Sequence, residues 1–411
     1  MSAPFSIAVT GQSLIRHDLR AIGDPRLAEI AEILKASDVA FTNLETTIYG
    51  RHGGWPLKGG YFGAATPDVL AALKELGFNS LALANNHAFD LGPPGILSTL
   101  EEVAAHNFLH AGIGHNKHHA STAQRMTFGS RNVALIAMDA GPGPSFMYAE
   151  DATEGRIARP GINSLKVSRV FDLEAGTFNL LRSIQDRLLS SPLERANYAQ
   201  PEDPPDLHGQ DEIDFYGTVF RRSDETARRI VMDRHSASAH LSAIAEEAGR
   251  DTLVIVYLHH HHWEPNWQQV PAWVREFAHD CVNAGAGLFV SHGAPVLQAV
   301  EIYRNTPIFY GLGNFLFHTE KDEQEWSPPE VWRSVIATCN FESSGRLENV
   351  RLRPIVIGGT EALSNPARDR LPFPVLADGG TAADILDDLA DRSAGFGTVL
   401  DREKNVGQIV F

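Results

Sequence analysis

The sequence predicts an α/β protein of layered, at least partly parallel sheets. Two observations predict it. Short apolar runs alternate with amphipathic stretches over the first 140 residues, and the same rhythm resumes after residue 250. Polar residues collect directly behind those runs, as Gln12, Glu45, Asn86, His87, His259 and His292 do. In open α/β sheets the ligand crevice lies outside the carboxyl ends of the strands, so this placement points to one site. The chain has 411 residues, 43% of them hydrophobic, which is ample for a large core.

The elements follow in order. Phe5 to Val9 reads as a strand ending at Thr10-Gly11-Gln12. Leu27, Ile30, Ala31, Ile33 and Leu34 have helical spacing. Val39 to Phe41 is the next strand and carries Asn43-Leu44-Glu45 at its end. Val69, Leu70, Leu73 and Leu76 mark a helix after Pro67, a favourable first-turn residue. Ser80 to Ala84 is a strand followed at once by Asn85-Asn86-His87, with a helix from about Pro94 to His106 and a strand from Val133 to Met138.

Residues 140–250 break the rhythm. Gly and Pro crowd residues 141 to 165, and Pro and Asp crowd 199 to 212. The segment reads as an insertion of helical pieces and long loops, either a cap over a site or decoration of one edge. Leu253 to Leu258 and Leu288 to Val290 then read as strands and Trp273 to Val282 as a helix, and Pro307 to Phe317 contains Gly311-Leu312-Gly313-Asn314-Phe315. Val335 to Phe341 and Val350 to Ile357 form a late pair, and 359–411 reads as a C-terminal extension packed on the same domain.

Composition removes several classes of function. The formal net charge is −16, from 51 acidic and 35 basic residues, with no long basic run. Nucleic acid and anionic membrane are therefore poor partners. Cys281 and Cys339 make no disulfide framework and suit a reducing compartment. No stretch approaches the roughly 20 apolar residues that span a bilayer, and Met1 to Phe5 carries no basic or apolar leader. The expectation is a soluble, cytoplasmic protein acting on a small molecule or peptide, with homo-oligomerisation left open.

The chemistry concentrates in His259-His260-His261-His262, at the tip of the apolar run Leu253 to Leu258. On a continuing strand, His259 and His261 point to one face and His260 and His262 to the other. Carboxylate, amide and imidazole together suit Mn²⁺, Fe²⁺ or Zn²⁺. Glu45 offers charge, Asn86 a carbonyl oxygen, and His259 and His292 nitrogens. His87, with Asp90 three residues on, has the form of a general acid or base oriented by a carboxylate. Asn85 reads as a helix cap. Trp263, Trp267 and Trp273 read as core before substrate pocket. Trp55, Tyr61 and Phe62 sit in a Gly-rich loop that is a candidate substrate contact. Arg221-Arg222 reads as a solvated surface pair.

Several stretches carry a resemblance. They are Phe41-Thr42-Asn43-Leu44-Glu45, Leu83 to Gly92 with its Asn-Asn-His, Ala111-Gly112-Ile113-Gly114, Leu258 to His261, Ser291-His292-Gly293, and Pro307 to Phe315 with its Gly-Asn-Phe. The chain resembles the CapA family, the poly-γ-glutamate-synthesis type of the calcineurin-like metallophosphoesterases, over about residues 5 to 357. The resemblance implies a four-layer α/β/β/α metallophosphatase-like sandwich over residues 1–358 with the inserted cap region. By position it implies Glu45, Asn86, His259 and His292 as metal ligands and His87 as the catalytic histidine beside Asp90. His261 is expected to assist, and Gln12, His260, Asn314 and Trp55 to contact substrate.

Two positions depart from the family pattern. The usual Gly-Asp after the first strand is Gly11-Gln12, and the second His of the final motif is Pro295. Those missing ligands mostly serve one of two metals, so one divalent ion is expected, or a site rebuilt with His261 or Gln12. Losing a metal weakens the two-ion clamp of phosphoester chemistry. The leading expectation is hydrolysis of an amide, ester or phosphoester by a metal-activated water. The alternatives are proton abstraction beside a carbonyl, giving an epimerase or lyase, and non-catalytic binding of an acidic polymer such as polyglutamate.

Overall fold

The computed structural model describes residues 5–58, 63–188, 209–215, 217–250, 252–319, 328–360, 363 and 370–410. Tyr61 and Phe62 of the Gly-rich loop lie outside them, as does most of the Pro- and Asp-rich stretch at 199–212. The chain divides into two compact units, Met1–Leu165 with Ser238–Phe411, and Lys166–Ala237.

The larger unit is built on two large sheets, with two short two-stranded pairs beside them among the described residues. In the first, Phe5–Leu14, Val39–Leu44, Ser80–Ala82 and Leu109–Ala111 run parallel and neighbour one another in that order. The helices Pro25–Lys35, Asp68–Leu76 and Gly92–Ala105 connect them. Asp24 caps the first helix by accepting from Arg26 N at 2.9 Å, with Pro25 at the first helical position. Gly77, at φ 112°, closes the second in the left-handed conformation that Gly adopts most readily. Beyond Phe5–Leu14 the sheet continues antiparallel through Arg333–Phe341 and Leu347–Ile357 to the hairpin Val399–Glu403 and Val406–Val410. The C-terminal extension thus adds strands to the main sheet.

The second sheet has Leu253–His259 at its centre, parallel to both Arg131–Asp139 and Leu288–His292. Every residue of Leu253–His259 is buried, which is why this strand reads as an unbroken apolar run. The sheets face each other: the Phe41 ring of the first lies 5.8 Å from the Tyr257 ring of the second. One apolar core runs through both. Helix Ala272–Asn283 buries Trp273, Val274, Phe277, Ala278 and Cys281 against the second sheet. The layering is α/β/β/α, as the sequence led us to expect.

The stretch Pro307 to Phe317 divides between the sheets: Thr306–Phe309 joins the second and Asn314–Phe317 the first. The chain crosses between the sheets through Gly311-Leu312-Gly313, with Gly313 at φ 68°. The insertion is richer in sheet than its sequence suggests. Lys166–Ala237 holds four strands in the order Glu212–Phe215, Thr218–Ser223, Val167–Glu174 and Ala227–Met232, with helix Ala175–Leu188. Those strands are mostly half-buried and Arg-rich, so their apolar alternation is weak. Arg221 and Arg222 are engaged: Arg221 pairs with buried Asp172 at 2.9 Å, and Arg222 with Asp211 at 3.4 Å. No helix among the described residues is long and apolar enough to cross a membrane.

Candidate metal centre

The strand registers assemble the site. Asp139, His259 and His292 are partners across the carboxyl ends of three parallel strands in the second sheet. Asn314, Gln12 and Asn43 are partners in the first. Glu45 follows one residue after its strand, its N–H donating to Ser13 O at 3.0 Å. The histidine tip is pinned by His260 N donating to His292 O (3.0 Å) and His261 N donating to Gly141 O (2.7 Å). Gly293 makes that approach possible. It sits at φ 138°, and a Cβ there would lie 1.7 Å from His260 O.

Glu45, His259 and His261 present ligand atoms that all lie within 4.8 Å of one another. His259 Nε2 is 3.7 Å from Glu45 Oε1 and 3.0 Å from Asn86 Oδ1. The histidine run divides as strand alternation requires. The His259 and His261 rings are 5.1 Å apart, while His260 and His262 lie against Trp273 at 5.1 and 6.2 Å. His261 therefore joins the cluster. His292 stands outside that trio, its ring 5.7 Å from Tyr257 and both nitrogens buried without a partner.

The electrostatics favour a cation. Burial raises the Glu45 carboxyl to about 8, with Lys58 opposing and Asp90 and Asp139 adding to the rise. Burial lowers His261 and His292 to about 3 and holds His259 well below the usual imidazole range. Neutral imidazoles are the form that binds metals. Glu45 Oε2, His261 Nε2 and Asp139 Oδ1 are buried without hydrogen-bond partners. Such orphaned atoms are costly unless something satisfies them. Their chemistry, one carboxylate with imidazoles and an amide oxygen, fits a divalent ion of intermediate hardness.

Beside the cluster, His87 Nδ1 donates to Asp90 Oδ2 at 2.6 Å. Asp90 is fully buried and also accepts from Gly63 N at 2.7 Å. Lys58 holds its other oxygen at 3.0 Å and donates to Asn86 O. Asn85 ties the turn down, donating to Asn43 Oδ1 and Leu44 O while accepting from His87 N.

The candidate substrate contacts scatter. Gln12 and Asn314 are buried in the first sheet's row, His260 faces Trp273, and Trp55 is 75% exposed. Trp273 is core, while the Trp263 ring lies 4.8 Å from His261. Four residues were missed. Asp139 ends its strand one residue beyond the apolar run that marked it and accepts from Tyr148 OH (3.0 Å) and Gly141 N (3.1 Å). Its position behind a strand was a usable signal. Lys58, Tyr148 and Tyr257, whose OH is 3.3 Å from His259 Nδ1, carried none.

Residues 6–319 match the family described as "Bacterial capsule synthesis protein PGA_cap". The chain is similar to the uncharacterized protein y4sH of Sinorhizobium fredii (strain NBRC 101917 / NGR234), 28% identical over 98% of this chain and 93% of that protein. It is similar to the PGA biosynthesis protein CapA of Bacillus subtilis (strain 168), 22% identical over 68% of this chain and 52% of that one. It is also similar to a probable polyglutamine synthesis accessory protein of Mycobacterium tuberculosis (strain ATCC 25618 / H37Rv), 23% identical over 78% of this chain and 66% of that one. Among solved structures, a 5'-nucleotidase precursor from Thermus thermophilus aligns over 86% of this chain and 54% of its own, at 10% identity and a TM-score of 0.35. At that score the likeness carries no argument by itself.

Proposed function

We propose, because this chain belongs to the bacterial capsule synthesis protein family, that it is a hydrolase dependent on one divalent cation. The observation that supports this most is the convergence of Glu45, His259 and His261 within 4.8 Å, with unpartnered atoms on Glu45 and His261. Asn86 Oδ1, 3.0 Å from His259 Nε2, is the fourth donor. When bound there, a divalent ion supplies positive charge that polarises a substrate oxygen and acidifies water.

The chain's own groups do the rest. Asp90 holds His87 by Nδ1, which leaves Nε2 as the ring atom for proton transfer to the departing group. Lys58 balances the Asp90 carboxylate and clamps the Gly-rich loop to the Asn86 backbone. Tyr257 sits at His259 Nδ1 and fixes that ring's orientation, as outer partners of metal-binding histidines do. Amides, esters and phosphoesters all belong in the substrate screen. Polyglutamate and polyglutamine enter it first, because two relatives are named for PGA biosynthesis and polyglutamine synthesis.

His87→Ala tests the assignment. It is expected to keep the cation and to lower kcat by about 10²–10⁴, the contribution of a positioned acid or base. Elemental analysis and steady-state kinetics on the same sample check it. A variant that loses the ion together with activity would make His87 a ligand instead. Lys58→Met is expected to lower kcat about tenfold, the low end of what a lost partner of a site residue costs. Wild-type turnover would mean that the Lys58–Asp90 pair is idle. Running the screen in ¹⁸O-labelled water separates hydrolysis from the other chemistry. Label in the product supports hydrolysis, and deuterium wash-in at a substrate carbon without cleavage supports proton abstraction.

A further inference from the structure

The first sheet ends in a row of three carboxamides that the proposed chemistry leaves unused. Asn314, Gln12 and Asn43 are register partners on three neighbouring parallel strands, so their side chains share a face. That face is turned to the second sheet, because Phe41, two residues before Asn43, packs on the Tyr257 ring. Glycine permits the close spacing. A Cβ on Gly11 would lie 2.4 Å from Gly313 O and 2.6 Å from the Asn314 carbonyl carbon. Gln12 N donates to Gly313 O at 2.9 Å, which fixes the alignment. All three amides are buried, at 0%, 5% and 0% exposure for Asn314, Gln12 and Asn43. Glu45 lies beside them through its backbone bond to Ser13.

Two of these amides are held at one end and open at the other. Asn314 Nδ2 donates to Val331 O at 3.2 Å and leaves Oδ1 without a partner. Asn43 Oδ1 accepts from Asn85 Nδ2 at 2.9 Å and leaves its own Nδ2 without one. Gln12 Oε1 is likewise unpartnered. The row thus offers two buried acceptors, Asn314 Oδ1 and Gln12 Oε1, and the buried Asn43 NH₂ as donor, with the Gln12 NH₂ beside them, all neutral. A second metal ion would find no charge here and would meet the Asn43 NH₂. A carboxylate would pair with the NH₂ groups but leave both open oxygens without a proton to accept. A neutral carboxamide satisfies both kinds of open atom, its N–H donating to Oδ1 or Oε1 and its C=O accepting from Asn43 Nδ2.

The geometry points to a carboxamide-binding subsite made of Gln12, Asn43 and Asn314, taking a peptide-type amide of the substrate. It rests on the hydrolase reading only in placing the reacting bond at the neighbouring Glu45 centre. A site built on buried hydrogen-bonding groups discriminates strongly against ligands that cannot pair with them, so amides are selected over phosphoesters.

Titration of the zinc-loaded protein, followed through its side-chain ¹⁵N amide signals, tests the subsite with N-acetylglycinamide as probe and acetate as the anionic control. N-acetylglycinamide is expected to move the Asn43 and Gln12 signals to saturation, and acetate to leave them in place. Gln12→Met, which keeps the shape but removes the Oε1 acceptor, is expected to weaken probe binding about tenfold, the cost of one lost buried hydrogen bond. Zinc affinity at Glu45 and the thermal midpoint are expected to hold. Asn314→Leu serves the same purpose if Gln12→Met does not fold. Equal responses to both probes, no response to either, or a second equivalent of zinc moving the Asn43 signal would overturn the subsite. Zinc binding lost with the probe response intact would instead sink the hydrolase reading and leave the subsite standing.

Discussion

Glu45→Gln is expected to abolish cation binding and to lower kcat/KM by more than about a hundredfold, beyond the 10–100-fold that outer partners of a metal site are worth. Glu45 is the carboxylate of the cluster, with Oε1 3.7 Å from His259 Nε2 and Oε2 buried and unpartnered. The amide keeps the shape and one acceptor but brings no charge. A divalent ion there would then lose the one carboxylate that stands in the cluster with His259 and His261. Calorimetric titration with Mn²⁺ alongside kinetics checks this. Full manganese affinity in the variant would remove Glu45 from the centre.

Chelator-treated protein is expected to be most stable near pH 6.5 and to lose stability on both sides. On the acid side, His260, His261 and His292 are lowered from 6.5 to about 3 by burial. They are neutral in the fold, so their stabilising effect is present above 6.5 and is lost as pH falls toward 3. The carboxyls run the opposite way. Glu45 is raised from 4.5 to about 8 and Asp139 from 3.8 to about 6, so the fold holds protons that the unfolded chain releases. Stability from these groups falls as pH rises through those windows. Between about pH 4.5 and 6 three imidazoles outweigh two carboxyls, and stability climbs with pH. Above 6.5, of these five groups Glu45 alone still differs, and its contribution to stability declines to about pH 8.

At about 1.4 kcal/mol per proton per pH unit, that decline is about 2 kcal/mol. Denaturant unfolding across the pH range, with chelator present, measures it. Glu45→Gln is expected to flatten the limb above 6.5, and saturating Mn²⁺ to reverse it by binding the ionised carboxylate. A flat wild-type profile between pH 6.5 and 8 would mean that Glu45 is already ionised and satisfied.

Much of this was legible because each site residue stands directly behind an apolar run. Gln12, Glu45, Asn86 and His259 declared themselves in that way, and strand alternation alone separated His259 and His261 from His260 and His262. What stayed hidden depends on three-dimensional register. Asp139 joins the site only because its strand pairs with Leu253–His259, a contact between segments far apart in the chain. Lys58 approaches because a loop folds back onto Asp90. That His261 of the tip, and not His292 of the neighbouring strand, stands with Glu45 depends on how the strand ends approach one another, and spacing is silent on that. The strands of Lys166–Ala237 were obscured because arginines such as Arg221 and Arg229 fill them and converge on Asp172, masking the apolar period.

Anomalous diffraction from a crystal of the protein soaked in manganese tests the central claim most directly. One manganese peak within bonding distance of Glu45, His259 and His261, with the Asn86 oxygen turned toward it, is the expected result. No peak among these side chains, or two peaks of full occupancy with Gln12 bound to the second, would contradict it.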